Sequence, residues 1–260
     1  MNRSAARRFV FILAICACCI SARAAREEAL LDLWEQHMGK PDDHEAAIKA
    51  CQDFAAAHAG DPLLPVARGF EEWHKLRLGR RAEVLQMFSA DLNGPAGPVE
   101  EGARRIAQGW LTRADRDDVA AALQMFYRKQ VAYPKSLDQL PADARPPMND
   151  RFGKPWIYKL TGFAKVPGFT DQKHSLVSPY LGDVSDFKAA LKLPYAARIV
   201  GVPQQVQPGA GALRMVKFNL PAGAMTIGAG QASGDFYVAF VGSKIIAVCD
   251  YTHWRIFPVP

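Results

Sequence analysis

The hydrophobic period of this chain changes once, and that change restricts its fold more than any other feature. Up to residue 130, apolar side chains recur at three- and four-residue intervals. From Tyr133 onward, prolines and short apolar runs replace that pattern. A run of helices followed by a run of strands predicts an α+β fold.

The helical part subdivides at its breakers. Arg26–His37 is amphipathic and ends at Gly39-Lys40-Pro41. Asp42-Asp43-His44-Glu45 resembles a capping box, with an acid as cap and Glu three positions on. The helix behind it carries Ala47, Ile48, Cys51 and Phe54 on one face and stops at Gly60-Asp61-Pro62. A third helix is expected from about Leu63 to Leu78, with Leu64, Ala67, Phe70, Trp73 and Leu76 inward, and Arg81–Phe88 makes a fourth. Asn93-Gly94-Pro95-Ala96-Gly97-Pro98 is the clearest linker. Beyond it Val99, Ala103, Ile106 and Trp110 mark a helical face. Asp115 to Asp118 then supply a fresh cap region for a helix through Gln130, striped by Val119, Leu123 and Phe126.

Strands are expected at Arg198–Val202, Leu213–Leu220, Asp235–Val241, Lys244–Tyr251 and His253–Val259. Gly242-Ser243 has the pattern of a two-residue type II′ hairpin turn. The divisions expected are a signal peptide at 1–24, a helical segment at 25–92, an α+β domain at 99–187 and a β-rich segment at 188–260. The last either completes the sheet of the middle domain or folds apart.

Arg7 and Arg8 precede a twelve-residue apolar run, Phe9 to Ile20, and Ala22-Arg23-Ala24 follows with small residues at both recognition positions. This is a secretory pattern, with cleavage expected between Ala24 and Ala25. The run is too short for the ~20 residues that span a bilayer. Cys16, Cys18 and Cys19 raise the lipoprotein alternative, but the residues before each fit a lipobox poorly. The expected location is therefore periplasmic or secreted. Residues 25–260 hold 28 bases and 26 acids, too balanced for a phosphate-binding footprint, so no nucleic-acid partner is expected. The helical part is acidic and residues 188–260 are basic, which suits docking of one on the other. The mature chain keeps Cys51 and Cys249, favoured as two separate buried thiols although an oxidising compartment permits a disulfide.

Tyr133-Pro134 is followed by Ser136, Leu137 and Leu140, then by Asp150-Arg151-Phe152-Gly153-Lys154-Pro155-Trp156-Ile157-Tyr158. Ser175-Leu176-Val177-Ser178 and Leu181-Gly182-Asp183 come next. In this order residues 116–183 resemble the globular part of the major, G-type pseudopilin of type II secretion. The resemblance implies a helix packed on an antiparallel sheet, and envelope or secretion-system proteins as partners. Trp156 and Tyr158, two apart, are expected on one face of a strand and serve as candidate docking residues. The chain departs from that family in lacking its amino-terminal cleavage site and long fibre-forming helix. Only Asp183 and Asp186 remain where the family's calcium loop would lie, so calcium is at most a weak cofactor expectation. Around residues 43–88, Ala50, Phe54 and Pro62 also resemble half of a tetratricopeptide repeat.

No catalytic, cofactor-binding or metal residues emerge. His44-Glu45 lacks a second His at position 48, and His37, His44, His58 and His74 share no i, i+4 pair. His174 and His253 are isolated. Gly228 to Gly234 is glycine-rich without dinucleotide-loop spacing and reads as a flexible loop ahead of a strand. Asp117-Asp118 and Glu100-Glu101 read as helix starts. The expectation is an exported, non-catalytic interaction protein of the secretion or pilin machinery. The alternative is an exported hydrolase or small-ligand binder with its site between the helical and β segments.

Overall fold

The structure, a computed structural model, describes residues 26–37, 43–97, 99–142, 145–166, 169–192, 197–199, 214–227, 230–241 and 245–258. The expected signal at 1–24, the Gly39-Lys40-Pro41 stop and the Gly242-Ser243 turn lie outside those residues.

Helix α1 covers residues 26–37. It is followed by α2 (His44–Ala57), α3 (Leu64–Arg77), α4 (Arg81–Leu92), α5 (Glu100–Gln130) and, after the first strands, α6 (Phe187–Leu191). Strands β1 (Ile157–Val166) and β2 (Phe169–Val177) pair as an antiparallel hairpin. A second sheet orders β3 (Ala197–Ile199), β4 (Arg214–Ile227), β5 (Gly230–Val241), β6 (Ile245–Cys249) and β7 (Trp254–Pro258) as an antiparallel succession. The architecture is α+β, and the two sheets share no pairing among the described residues, so β3–β7 do not extend β1–β2.

Two local expectations are corrected. The α2 cap is Asp43, whose side chain accepts from the Ala46 amide at 3.0 Å. The third helical residue is thus Ala46, which cannot close a capping box, and Glu45 pairs with Arg80 instead. The second correction is larger. No new helix begins at Asp115: α5 runs unbroken for 31 residues. Nothing from Leu111 to Val119 breaks a helix, and the Asp115 carboxylate is taken by Arg151 at 2.6 and 2.9 Å rather than by a backbone amide. Asp117 and Asp118 therefore lie mid-helix, with Asp117 on Arg81 at 2.8 Å.

This long helix serves two cores. Its first half joins α1–α4 and α6 through Ile106, Ala107 and Trp110, together with Phe70, Trp73, Phe88 and Phe187. Its second half contributes Val119, Ala122 and Leu123 to a smaller core with Leu137, Leu140, Trp156 and Leu176. The β6–β7 hairpin belongs to the first core, where Ala247, Cys249, Trp254 and Ile256 are all fully buried.

The helical and β parts do dock, though through different groups than the charge balance suggests. Trp254 lies over Gly69 and Gly102, while the Trp110 indole donates to the Thr252 carbonyl at 2.7 Å. A helix cation, Arg113, donates to the Tyr251 carbonyl at 2.8 Å. The stretch expected as a flexible glycine-rich loop is also corrected: Gly230 to Gly234 pair with β4 as the start of β5.

Candidate functional site

The Asp150 turn forms because Asp150 Oδ1 accepts from the amides of Phe152 and Lys154, at 3.0 and 2.9 Å, and Gly153 supplies a φ of +79°. Asp150 Oδ2 reaches across to the next loop and accepts from the Ser178 hydroxyl at 2.7 Å. Ser178 is fully buried; its amide donates to Ser185 Oγ at 2.9 Å, and that hydroxyl donates to the Gly182 carbonyl at 2.6 Å.

One side of α5 stitches these loops down. Thr112 accepts from the Arg151 amide at 3.1 Å, and Asp115 holds the Arg151 guanidinium with two hydrogen bonds. Arg113 donates to the Val184 carbonyl at 2.9 Å, and Arg116 to the Leu176 carbonyl at 2.9 Å and to Asp186 at 3.0 Å. These groups are committed to one another. They hold the geometry of these loops.

Asp186 caps α6 by accepting from the Ala189 amide at 2.8 Å, and its other oxygen faces Arg116, while Asp183 is exposed. No group of three or more His, Cys, Asp or Glu able to hold a metal occurs among the described residues.

Trp156 and Tyr158 are not a docking face. Trp156 is buried and donates to the Pro147 carbonyl at 2.9 Å; the Tyr158 hydroxyl donates to the Pro134 carbonyl at 2.8 Å. Both pack in the smaller core, and strand alternation turns the intervening Ile157 outward. Of the five large hydrophobic side chains exposed among the described residues, Met125, Val131, Ile157 and Tyr180 belong to the unit built from the second half of α5, β1–β2 and their loops. Beside Met125, a cavity of about 110 Å³ is lined by Ala122, Phe126, Lys129 and Pro141.

The remaining candidates are structural or newly paired. Cys51 and Cys249 are both buried and unpaired; burial pushes the Cys51 thiol up to about 12 and raises Cys249 as well. Such thiols are protonated and unreactive. The His253 ring packs tilted against Trp73, with centroids 4.9 Å apart, and His174 against Tyr133, with centroids 4.4 Å apart. His44 and His74, thirty residues apart, meet with their Nδ1 atoms 2.9 Å apart. Sequence spacing missed this pair because the packing of α2 on α3 creates it. His74 is fully buried and pushed down to about 4, first by burial and then by His44, His37 and Arg77.

No family model matches this chain. No curated protein or solved structure matches it significantly either.

Proposed function

We propose that this chain is an exported, non-catalytic protein of the cell envelope, related to the type II secretion and pilin machinery. Its mechanism is protein–protein interaction through the outward face of the α5–β1–β2 unit. One observation carries the reading. The polar groups of the Asp150–Ser178 network are spent on holding loops, while, among the residues whose burial is described, four of the five large hydrophobic side chains that are exposed lie on this unit. The pseudopilin resemblance of residues 116–183 names the partner class, and the secretory pattern of residues 1–24 names the compartment. A hydrolase or ligand site between helices and strands is less favoured, because Trp254, Trp110 and His253 fill that contact.

Photo-crosslinking residues at Met125, Val131 and Ile157, used in native envelopes, test this. Recovery of secretin or pseudopilin subunits, abolished by Met125→Glu or Ile157→Glu, supports the reading. Absence of any secretion-system crosslink overturns it.

A further inference from the structure

The Asp150 turn is the tip of a short hairpin. The Asp150 amide donates to the Lys154 carbonyl at 2.8 Å, Asn149 bridges Pro155, and the Trp156 amide donates to the Met148 carbonyl at 3.4 Å. The arm at Met148 and Asn149 therefore begins a third strand along the outer edge of β1, opposite β2. It stops at once. Pro147 and Pro146 come next in that arm, and proline has no amide with which to continue a ladder. From Tyr158 to Thr161, β1 pairs with β2 alone among the described residues, and a register shift between Thr161 and Phe163 ends the regular stretch.

Antiparallel alternation sets the direction of the groups left over. The Trp156 amide faces the arm, so the amides and carbonyls of Tyr158 and Leu160 face the same outer side. Leu176, paired with Tyr158, follows the same alternation: its carbonyl points away from β1 and accepts from Arg116 at 2.9 Å. Helix α5 thus closes the β2 edge, while the β1 edge is open among the described residues. A row of unpaired amides and carbonyls is satisfied by an extended backbone, not by a helix or a small apolar molecule.

The side chains beside this edge define the chemistry of the occupant. Ile157 is 40% exposed, and Lys159 and Thr161 lie exposed on the same face of the strand. Lys159, and Lys154 at the hairpin turn, make no ion pair among the described residues. A second copy of the chain is a poor occupant. Antiparallel self-pairing centred on the open stretch sets Lys159 opposite its own copy, and like charges directly across strands repel.

We propose that the outer edge of β1, from Tyr158 to Thr161, receives an extended segment of a partner protein as an added strand. That segment presents an apolar side chain to Ile157 and, two residues away on the same face, an acidic one to Lys159. The inference rests on reading the α5–β1–β2 unit as a docking face, and it names the element of the partner that the face recognises.

Amide NMR of the purified protein, titrated with the peptide acetyl-Thr-Glu-Thr-Val-Thr-Glu-Thr-amide, tests it. This peptide carries valine and glutamate on one face in either strand direction. Saturable binding below about 1 mM, with exchange slowed at the Tyr158 and Leu160 amides and unchanged at Lys159, supports the proposal. N-methylating one alternate set of peptide amides should abolish binding, and methylating the other set should leave it, since only one set faces the edge. Lys159→Glu, at an exposed position, should weaken binding about fivefold, and a peptide with lysine in place of glutamate should restore it. No saturation by about 5 mM peptide, or equal tolerance of both methylated sets, overturns strand addition. Protection of the edge amides by protein concentration alone makes the occupant a second copy and overturns it too. Crosslinks from Met125 and Val131 separate the two readings. If they persist while the peptide fails, strand addition alone is overturned; if they vanish while the peptide binds, the secretion-system partner is overturned and strand addition is supported.

Discussion

A Cβ built on Gly102 would lie 2.3 Å from Cη2 of Trp254, so the indole occupies the place of a missing side chain. Gly69 presents the same notch from α3, 2.5 Å from Trp254 Cδ1, and Gly109 approaches the Tyr251 carbonyl oxygen at 2.0 Å by the same construction. Three glycines inside helices thus let the β6–β7 hairpin settle directly on helix backbone. Helical Gly→Ala ordinarily stabilises by about 1 kcal/mol. Here Gly102→Ala is expected to destabilise by about 1–3 kcal/mol through overpacking. Gly109→Ala, facing backbone rather than a side chain that can turn, costs more. Urea unfolding measures both. The Gly102→Ala penalty should shrink in a Trp254→Leu background, and an undiminished penalty would refute the notch.

Val131 ends α5 in the left-handed region, at φ 57°, with its side chain 76% exposed. A β-branched residue is strained there, and its exposed side chain contributes little in return. Val131→Gly is expected to stabilise by about 1 kcal/mol despite adding unfolded-chain entropy. A lower melting temperature for this variant would show that the side chain makes a contact outweighing the strain.

Glu72 and His74 give stability opposite pH slopes. Burial, and then Asp91, raise the Glu72 carboxyl well above the 4.5 of the unfolded chain, so stability falls as pH rises from that value. His74 stays neutral in the fold down to about 4 and is protonated when unfolded below 6.5, so stability falls as pH drops through that window. Thermal melts across pH 4–8 should show Glu72→Gln gaining more at pH 8 than at pH 4.5. His74→Gln should flatten the acid limb, worth up to about 3 kcal/mol at 1.4 per pKa unit. Parallel curves for wild type and both variants would contradict these assignments.

Asp150 is the hinge pin of two loops. Asp150→Ala strands the Phe152 and Lys154 amides and the buried Ser178 hydroxyl. The expected loss is about 2–4 kcal/mol, since groups left unsatisfied in the interior bear their full desolvation cost. Ser178→Ala, which removes one of those bonds, should lose less. Hydrogen exchange should localise the change to the turn from Asp150 to Lys154 and the loop from Ser178 to Ser185. A uniform change across the fold would contradict the latch.

Much of the architecture was legible in local pattern. The inward faces Ala47, Ile48, Cys51, Phe54 and Phe70, Trp73, Leu76 follow from helical period alone, and the existence and approximate position of β6 and β7 from short apolar runs between turn residues. These features depend on neighbours three or four residues apart, so a sequence carries them directly.

What tertiary structure decided depends on residues far apart in the chain. Asp115 looks like a cap until Arg151, thirty-six residues away, takes its carboxylate and α5 runs on. Trp156 and Tyr158 look like a presented face until the Pro147 and Pro134 carbonyls receive them, leaving Ile157 outside. His44 with His74, and Glu72 with Asp91, meet only because helices pack side by side. Periodicity states which side of a helix or strand is apolar. Only packing brings distant polar groups together, and burial there sets their protonation and hydrogen bonding.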